Sequence, residues 1–240
     1  MGAHFNFTVL RGKMPDSESI RHSWVDAWSI GLGVKFMAAE IHRVRVQKKS
    51  PELETVKRMI ANELVETEHP SQSILQGYRD LYSTLRITDA VSSPEWLHKM
   101  IGVHGRLPQI NTVVDAYNLI SAKTSLVISA HDLKYVDGDV RIERTKGDEV
   151  FFPLGGEKEI LRADEWAGKA DNHILCRLNC KQSDLSKVTL ATSDLLIYVQ
   201  GNPVTPAEYL RRVLVEVCQY IIHFNGGEYY LLPERKVILE

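Results

Sequence analysis

Cysteine is scarce in this chain of 240 residues: Cys176, Cys180 and Cys218 are the only three. An odd, small number excludes a disulfide framework and points to a reducing compartment. Cys176 and Cys180 have the spacing of half a metal site, but no second pair follows, so they read as small buried hydrophobes. Long apolar runs are absent too. None reaches the roughly 18 to 20 residues that span a bilayer, and the N-terminus carries no signal-peptide pattern. The expected location is the cytoplasm, with no membrane partner. Neither charge is in excess: the formal net charge is −2. That excludes nucleic-acid binding through bulk charge and leaves room for a local basic face.

Several signatures start and then fail. Gly31-Leu32-Gly33 resembles a dinucleotide loop, but Phe36 occupies the place of its third glycine. Neither G-x-S-x-G nor a convincing Cys-His pair occurs. Asn6-Phe7-Thr8 is a glycosylation sequon only in a secreted protein. His98 and His104 are too far apart to share a helical face, so no metal site is expected, and no cofactor either. There is no internal repeat and no low-complexity tract. With 44% hydrophobic and 25% charged residues, what remains is an ordinary globular composition, long enough to bury a real core.

The stretch from Leu107 to Val140 is the most informative. Ile110, Val113, Val114, Tyr117 and Ile120 or Ser121 recur at helical spacing, with Asn111, Asp115 and Asn118 on a second stripe. After Ala122 the pattern shortens, and Ser125 to Ala130 reads as a strand ending at His131-Asp132. Asp137-Gly138 then predicts a tight hairpin, with Val140, Ile142 and Arg144 alternating along the returning strand.

Elsewhere, His4 to Leu10 alternates as a strand, and His22 to Phe36 reads as strand or turn packed on the core. Three segments open helices with an oxygen-bearing cap before proline: Ser50-Pro51-Glu52, Ser93-Pro94-Glu95 and Thr205-Pro206-x-Glu208, the last as a capping box. A further helix starts near Ser71. The last helix stacks Leu210, Val213, Leu214, Val217 and Ile221 inward and stops at Gly226. Val150 to Phe152, Glu159 to Arg162, Ile174 to Leu178 and Leu195 to Val199 are the expected strands, with edge strands at Glu228 to Leu232 and Lys236 to Leu239. Arg43, Arg45, Lys48 and Lys49 alternate with Val44 and Val46 as a solvated strand face or a phosphate-contacting edge.

The string N-T-V-V-D-A-Y-N from Asn111, followed by His131-Asp132-Leu133 and by Asp137-Gly138-Asp139-Val140, resembles the B3/B4 domain of the bacterial phenylalanyl-tRNA synthetase β subunit. The likeness continues to Val188-Thr189-x-x-Thr192 and spans roughly Tyr78 to Val199. It implies an α/β (α+β) fold of mixed, mostly antiparallel sheets with packed helices. Residues 1–77 would pack on the same core as a B3/B4-like domain at 78–240.

The resemblance also implies a function: a free-standing protein that binds the aminoacylated 3′ end of tRNA and hydrolyses wrongly charged ester, with no DNA partner. An aminoacyl ester is already activated, so such a site asks for a positioned water and oxyanion donors rather than a strong nucleophile. Two pocket positions depart from the family. A threonine is replaced by Tyr117 and a histidine by Ser129, while His131 lies on the same strand face as Ser129 and is a catalytic candidate. The family's glycine-rich loop falls on Asn179-Cys180-Lys181-Gln182-Ser183. Gln182 is the second catalytic candidate, Asn179 and Ser183 join Tyr117 and Ser129 as substrate-binding candidates, and Arg177 and Lys181 could meet a phosphate. The alternatives are a non-catalytic RNA-binding module and a binder of a free amino acid or ester.

Overall fold

The computed structural model describes residues 21–66, 72–178 and 180–235. The strand expected at His4 to Leu10, the helix start at Ser71, the candidate Asn179 and the strand expected at Lys236 to Leu239 lie outside them. In chain order the elements are β1 (Ser23–Val25), α1 (Ala27–Gly31), β2 (Lys35–His42), α2 (Pro51–Glu66), α3 (Gln72–Thr84), α4 (Ser93–His104), α5 (Thr112–Thr124), β3 (Val127–Asp132), β4 (Val140–Arg144), β5 (Val150–Phe151), β6 (Glu159–Ile160), β7 (Trp166–Lys169), β8 (Ile174–Arg177), β9 (Lys181–Gln182), β10 (Leu195–Gly201), α6 (Ala207–Asn225) and β11 (Glu228–Leu231). A five-stranded sheet runs β1-β4-β7-β8-β9, a four-stranded sheet β11-β2-β10-β3, and β5 pairs with β6. Among the named strands of the described residues β1 and β4 pair in parallel and the other pairs are antiparallel. This is the mixed, mostly antiparallel α/β architecture that the sequence implies.

The four-stranded sheet is central. β10 is buried along its whole length and pairs with β2 on one side and β3 on the other. β3 is buried throughout as well, which suits its continuous apolar run. Helices α5 and α6 pack against each other and on this sheet. α6 presents Leu210, Val213, Leu214, Val217 and Ile221 to the core, while Arg211 and Arg212 face outward, as the periodicity predicts. One contiguous cluster of buried side chains runs from Val34 to Phe224, and a smaller one holds Phe151, Leu161, Ala167 and Ile174.

Several expectations need correction. Gly138 does turn the chain with φ 66°, but β3 and β4 do not form a hairpin; they belong to different sheets. Ile110 is exposed and precedes α5, whose N-cap is Asn111, its side chain accepting from the N–H groups of Val113 and Val114 at 3.2 and 3.0 Å. Thr205 does not cap α6, because its hydroxyl is engaged with Asn202. The Arg43 to Lys49 segment is not a strand. Its alternation is still physical: Val44 and Val46 are buried, while Arg45, Lys48 and Lys49 are exposed, and Arg43 pairs with Glu228.

Candidate functional site

The two larger sheets meet the N-terminal end of α4 around a small cavity. β3 contributes Val127 and Ser129, β8 contributes Cys176, and β10 contributes Gln200. Lys181 and Gln182 come from β9, Cys180 from the preceding turn, and Ser93 from α4. The structure thus gathers Ser129, Lys181 and Gln182 from the predicted set. Tyr117, deep in α5, joins them through a side-chain hydrogen bond to Gln182.

Two polar atoms are orphaned here. Gln200 is fully buried, and its amide nitrogen points at Cys176 Sγ (3.3 Å), leaving Oε1 without a partner among the described residues. Ser93 Oγ is likewise unpaired. Sequence reading places Ser93 as the α4 cap; the cap position is Ser92, so Ser93 lies inside the first turn and its hydroxyl is released to the cavity. Buried polar atoms without a partner are costly, about 1–3 kcal/mol each. Two such atoms border one small cavity, where a bound water or a ligand group would satisfy them. The cavity measures about 30 Å³, room for one or two waters.

The rim is held from below by α3. Leu178 ends β8 in the left-handed region, with φ 51°, although it is fully buried and carries a branched side chain. Tyr82 donates its hydroxyl to the Leu178 carbonyl (2.8 Å) and stacks on Trp166, with ring centroids 5.8 Å apart. Tyr78 does the same for the Gln200 carbonyl at 2.6 Å. Tyr78 falls on the apolar stripe of the helix with Ile74, Leu81 and Leu85; nothing in that periodicity shows which carbonyls the two tyrosines bind. Across the sheet, a Cβ on Gly168 would stand 2.7 Å from Cys176 Sγ, so a residue without a side chain is needed there to seat the cavity wall.

His131 is displaced from the catalytic role. It is fully buried, its Nδ1 paired with Ser186 Oγ (2.9 Å) and its Nε2 with the Tyr198 hydroxyl (3.1 Å), on whose ring it stacks. Burial, reinforced by nearby His173, lowers its pKa to about 3. The imidazole is neutral at physiological pH and both nitrogens are occupied, so it cannot exchange protons with a substrate. Its contribution is to hold Tyr198, which in turn hydrogen-bonds Ser129. Burial also pushes Tyr117 and Cys180 up to about 12 each, so neither supplies a base or a thiolate.

The other candidates separate. Arg177 is buried and grips Glu165 with Nε–Oε2 at 2.6 Å and Nη2–Oε1 at 2.7 Å. That carboxylate holds its guanidinium firmly protonated and occupies the fork a phosphate would need. Arg177 is therefore a structural partner of Glu165. Ser183 is buried, its Oγ accepting from Leu185 N–H (3.2 Å), and it does not line the cavity. Lys181 is partly exposed and pairs with Glu159 at 2.9 Å. Asp115 ties the chain entering α5 to α2 by accepting from Ile110 N–H and Lys57 Nζ. Thr192 donates to Asp132 Oδ2 at 2.7 Å, closing the end of β3.

Comparison with known proteins places this geometry. A curated phenylalanine–tRNA ligase β subunit from Rhodopseudomonas palustris is 29% identical over 105 residues, 44% of this chain and 13% of that subunit. An N-terminal fragment of the phenylalanyl-tRNA synthetase β subunit from Pyrococcus horikoshii shares the fold with a TM-score of 0.50 at 13% identity, covering 91% of this chain and 53% of the fragment. The chain thus spans about half of that fragment and a small part of the bacterial subunit. The model of the B3/4 domain family matches residues 81–214, more than half of the chain, and takes in α4, α5, the cavity and the start of α6. This protein belongs to the B3/4 domain family.

Proposed function

We propose that this protein acts on the aminoacylated 3′ end of tRNA and hydrolyses the ester of wrongly charged molecules in trans. The observation that carries the reading is the water-sized cavity in which Ser129 and Gln182 meet the unpartnered Gln200 Oε1 and Ser93 Oγ. The relationship to phenylalanyl-tRNA synthetase β subunits supports a tRNA-related role.

The chemistry suits a site without a strong base. Gln200 Oε1 and Ser93 Oγ accept hydrogen bonds from a water and orient its lone pair, while the Gln182 amide and the Ser129 hydroxyl donate to the ester oxygen as it becomes negative. Water oxygen bonds to the carbonyl carbon, the carbon–ribose oxygen bond breaks, and the departing ribose oxygen takes a proton released by the water. The neighbouring ribose hydroxyl relays it. Admission of an aminoacyl group requires the cavity to widen, which we place at β9, a two-residue strand at the edge of the five-stranded sheet.

The test is release of amino acid from a panel of correctly and incorrectly charged tRNAs. Wild type is expected to turn over a subset, and Gln182→Ala or Ser129→Ala to lose roughly 10²–10³-fold in rate while remaining folded. Equal turnover in both variants would contradict the assignment. A second reading, a non-catalytic RNA-binding module, is favoured by the cavity's volume of about 30 Å³ and by the neutral, enclosed His131. Salt-sensitive tRNA binding without turnover would select it.

A further inference from the structure

A larger groove opens at the other end of α4. It holds about 690 Å³ between α2 and the loop following α4, and its cationic lining is Lys57, Arg58 and Arg106, with His104 beside them. Lys57 is buried and already spent: Nζ contacts Glu54 at 2.6 Å and Asp115 at 2.9 Å. Glu54, the one acid in the lining, is thereby engaged. Arg58, His104 and Arg106 are exposed and have no partner among the described residues. Compare the shallow pocket on α6, where Arg211 and Arg212 share the surface with Glu208 and Glu216. The groove concentrates uncompensated positive charge in a protein whose formal net charge is −2.

The groove is also preformed. Gly105 ends α4 with φ 66° and its N–H bonds the Ile101 carbonyl at 2.7 Å; at the far end of the loop, Ile110 N–H is held by Asp115 Oδ1 at 2.8 Å. The arginines thus stand on a helix and on a loop tied at both ends, so little ordering is needed to bind an anion. α4 supplies the distance. Its 12 residues begin at the cavity with Ser93 and end at the groove with His104. At 1.5 Å per residue the two sites are about 18 Å apart along one rigid helix.

We propose that this groove binds phosphodiesters of the same tRNA whose 3′ end enters the cavity, with Arg58 and Arg106 as the phosphate contacts. Planar guanidiniums without competing carboxylates are suited to bidentate phosphate binding. The contacts set how the RNA approaches and carry no base specificity. This inference rests on the tRNA reading above.

The test is the salt dependence of tRNA affinity for wild type, Arg58→Ala, Arg106→Ala, the double variant, and Arg211→Ala as a surface control on α6, with thermal unfolding checked for each. The double variant is expected to weaken binding at least tenfold at low salt. Its log–log salt slope should be shallower by about 1.4 to 1.8, the value for two lost phosphate contacts. Arg211→Ala should match wild type. Wild-type binding that the folded double variant retains at full strength and slope overturns the groove and leaves the tRNA reading intact. An equal loss in Arg211→Ala also overturns it, because diffuse charge would then account for the effect. Absence of salt-dependent tRNA binding by wild type overturns both.

Discussion

At the scale of single residues, His131 shows how burial reassigns a side chain. Placed two residues beyond Ser129, it shares that residue's strand face, which makes it a natural catalytic candidate in the sequence. Its neighbours decide otherwise. With a folded pKa of about 3, well below the ordinary histidine value of about 6.5, the unfolded chain binds a proton that the native protein does not across the interval between them. Stability contributed by the neutral ring is present above about pH 6.5 and lost as the pH falls, by about 1.4 kcal/mol per unit. His173, whose pKa burial also lowers, acts in the same direction, so a variant is needed to isolate the effect. Denaturant unfolding between pH 6.5 and 4.5 should show a shallower pH dependence in His131→Gln than in wild type. Parallel slopes would contradict the neutral buried assignment.

The site was only partly legible at this scale. Ser129 and Gln182 follow from spacing against the family pattern, because register fixes which positions face the pocket. Gln200 and Ser93 carry no such signal. Their significance is an absent hydrogen-bond partner, which exists only once β10, β8 and the start of α4 are brought together. Arg177 fails as a phosphate candidate for the same reason: Glu165, which neutralises it, is 12 residues earlier in another strand's approach.

At the scale of elements, α2, α4 and α6 are readable because local chemistry writes them: proline near the start and apolar residues at helical spacing. β3 and β10 are readable as apolar runs. Their pairing is not, since a turn signal at Asp137-Gly138 speaks only for neighbours in sequence, and Ser129 pairs with Tyr198 far downstream. β7 carries no strand signal of its own: Trp166-Ala167-Gly168-Lys169 is short and rich in small residues, and its strand geometry comes from tertiary packing. α3 carries the prediction for this scale. Tyr82→Phe keeps the ring on Trp166 but removes the donor to the buried Leu178 carbonyl. Unfolding free energy should drop by about 1–3 kcal/mol, and deacylation should fall as the rim loosens. An unchanged denaturation midpoint would show that α3 does not restrain the rim.

At the scale of the whole molecule, a net charge of −2 conceals an uneven distribution. Some exposed cations are matched by carboxylates, as at Lys123–Glu216 and Lys187–Asp184, whereas Arg58 and Arg106 are unmatched and line one groove. The main buried cluster includes residues on both sides of Tyr78. Among the described residues no helix is long and apolar enough to cross a membrane. α4 runs from the water-sized cavity at Ser93 to the cationic groove at His104. The central claim is that the cavity receives the aminoacyl group. The most direct measurement is titration of the protein with a non-hydrolysable, amide-linked aminoacyl adenosine, following the side-chain amide resonances of Gln182 and Gln200. The account predicts saturable shifts of both that Ser129→Ala weakens; no saturable shift, or shifts confined to residues remote from the cavity, would contradict it.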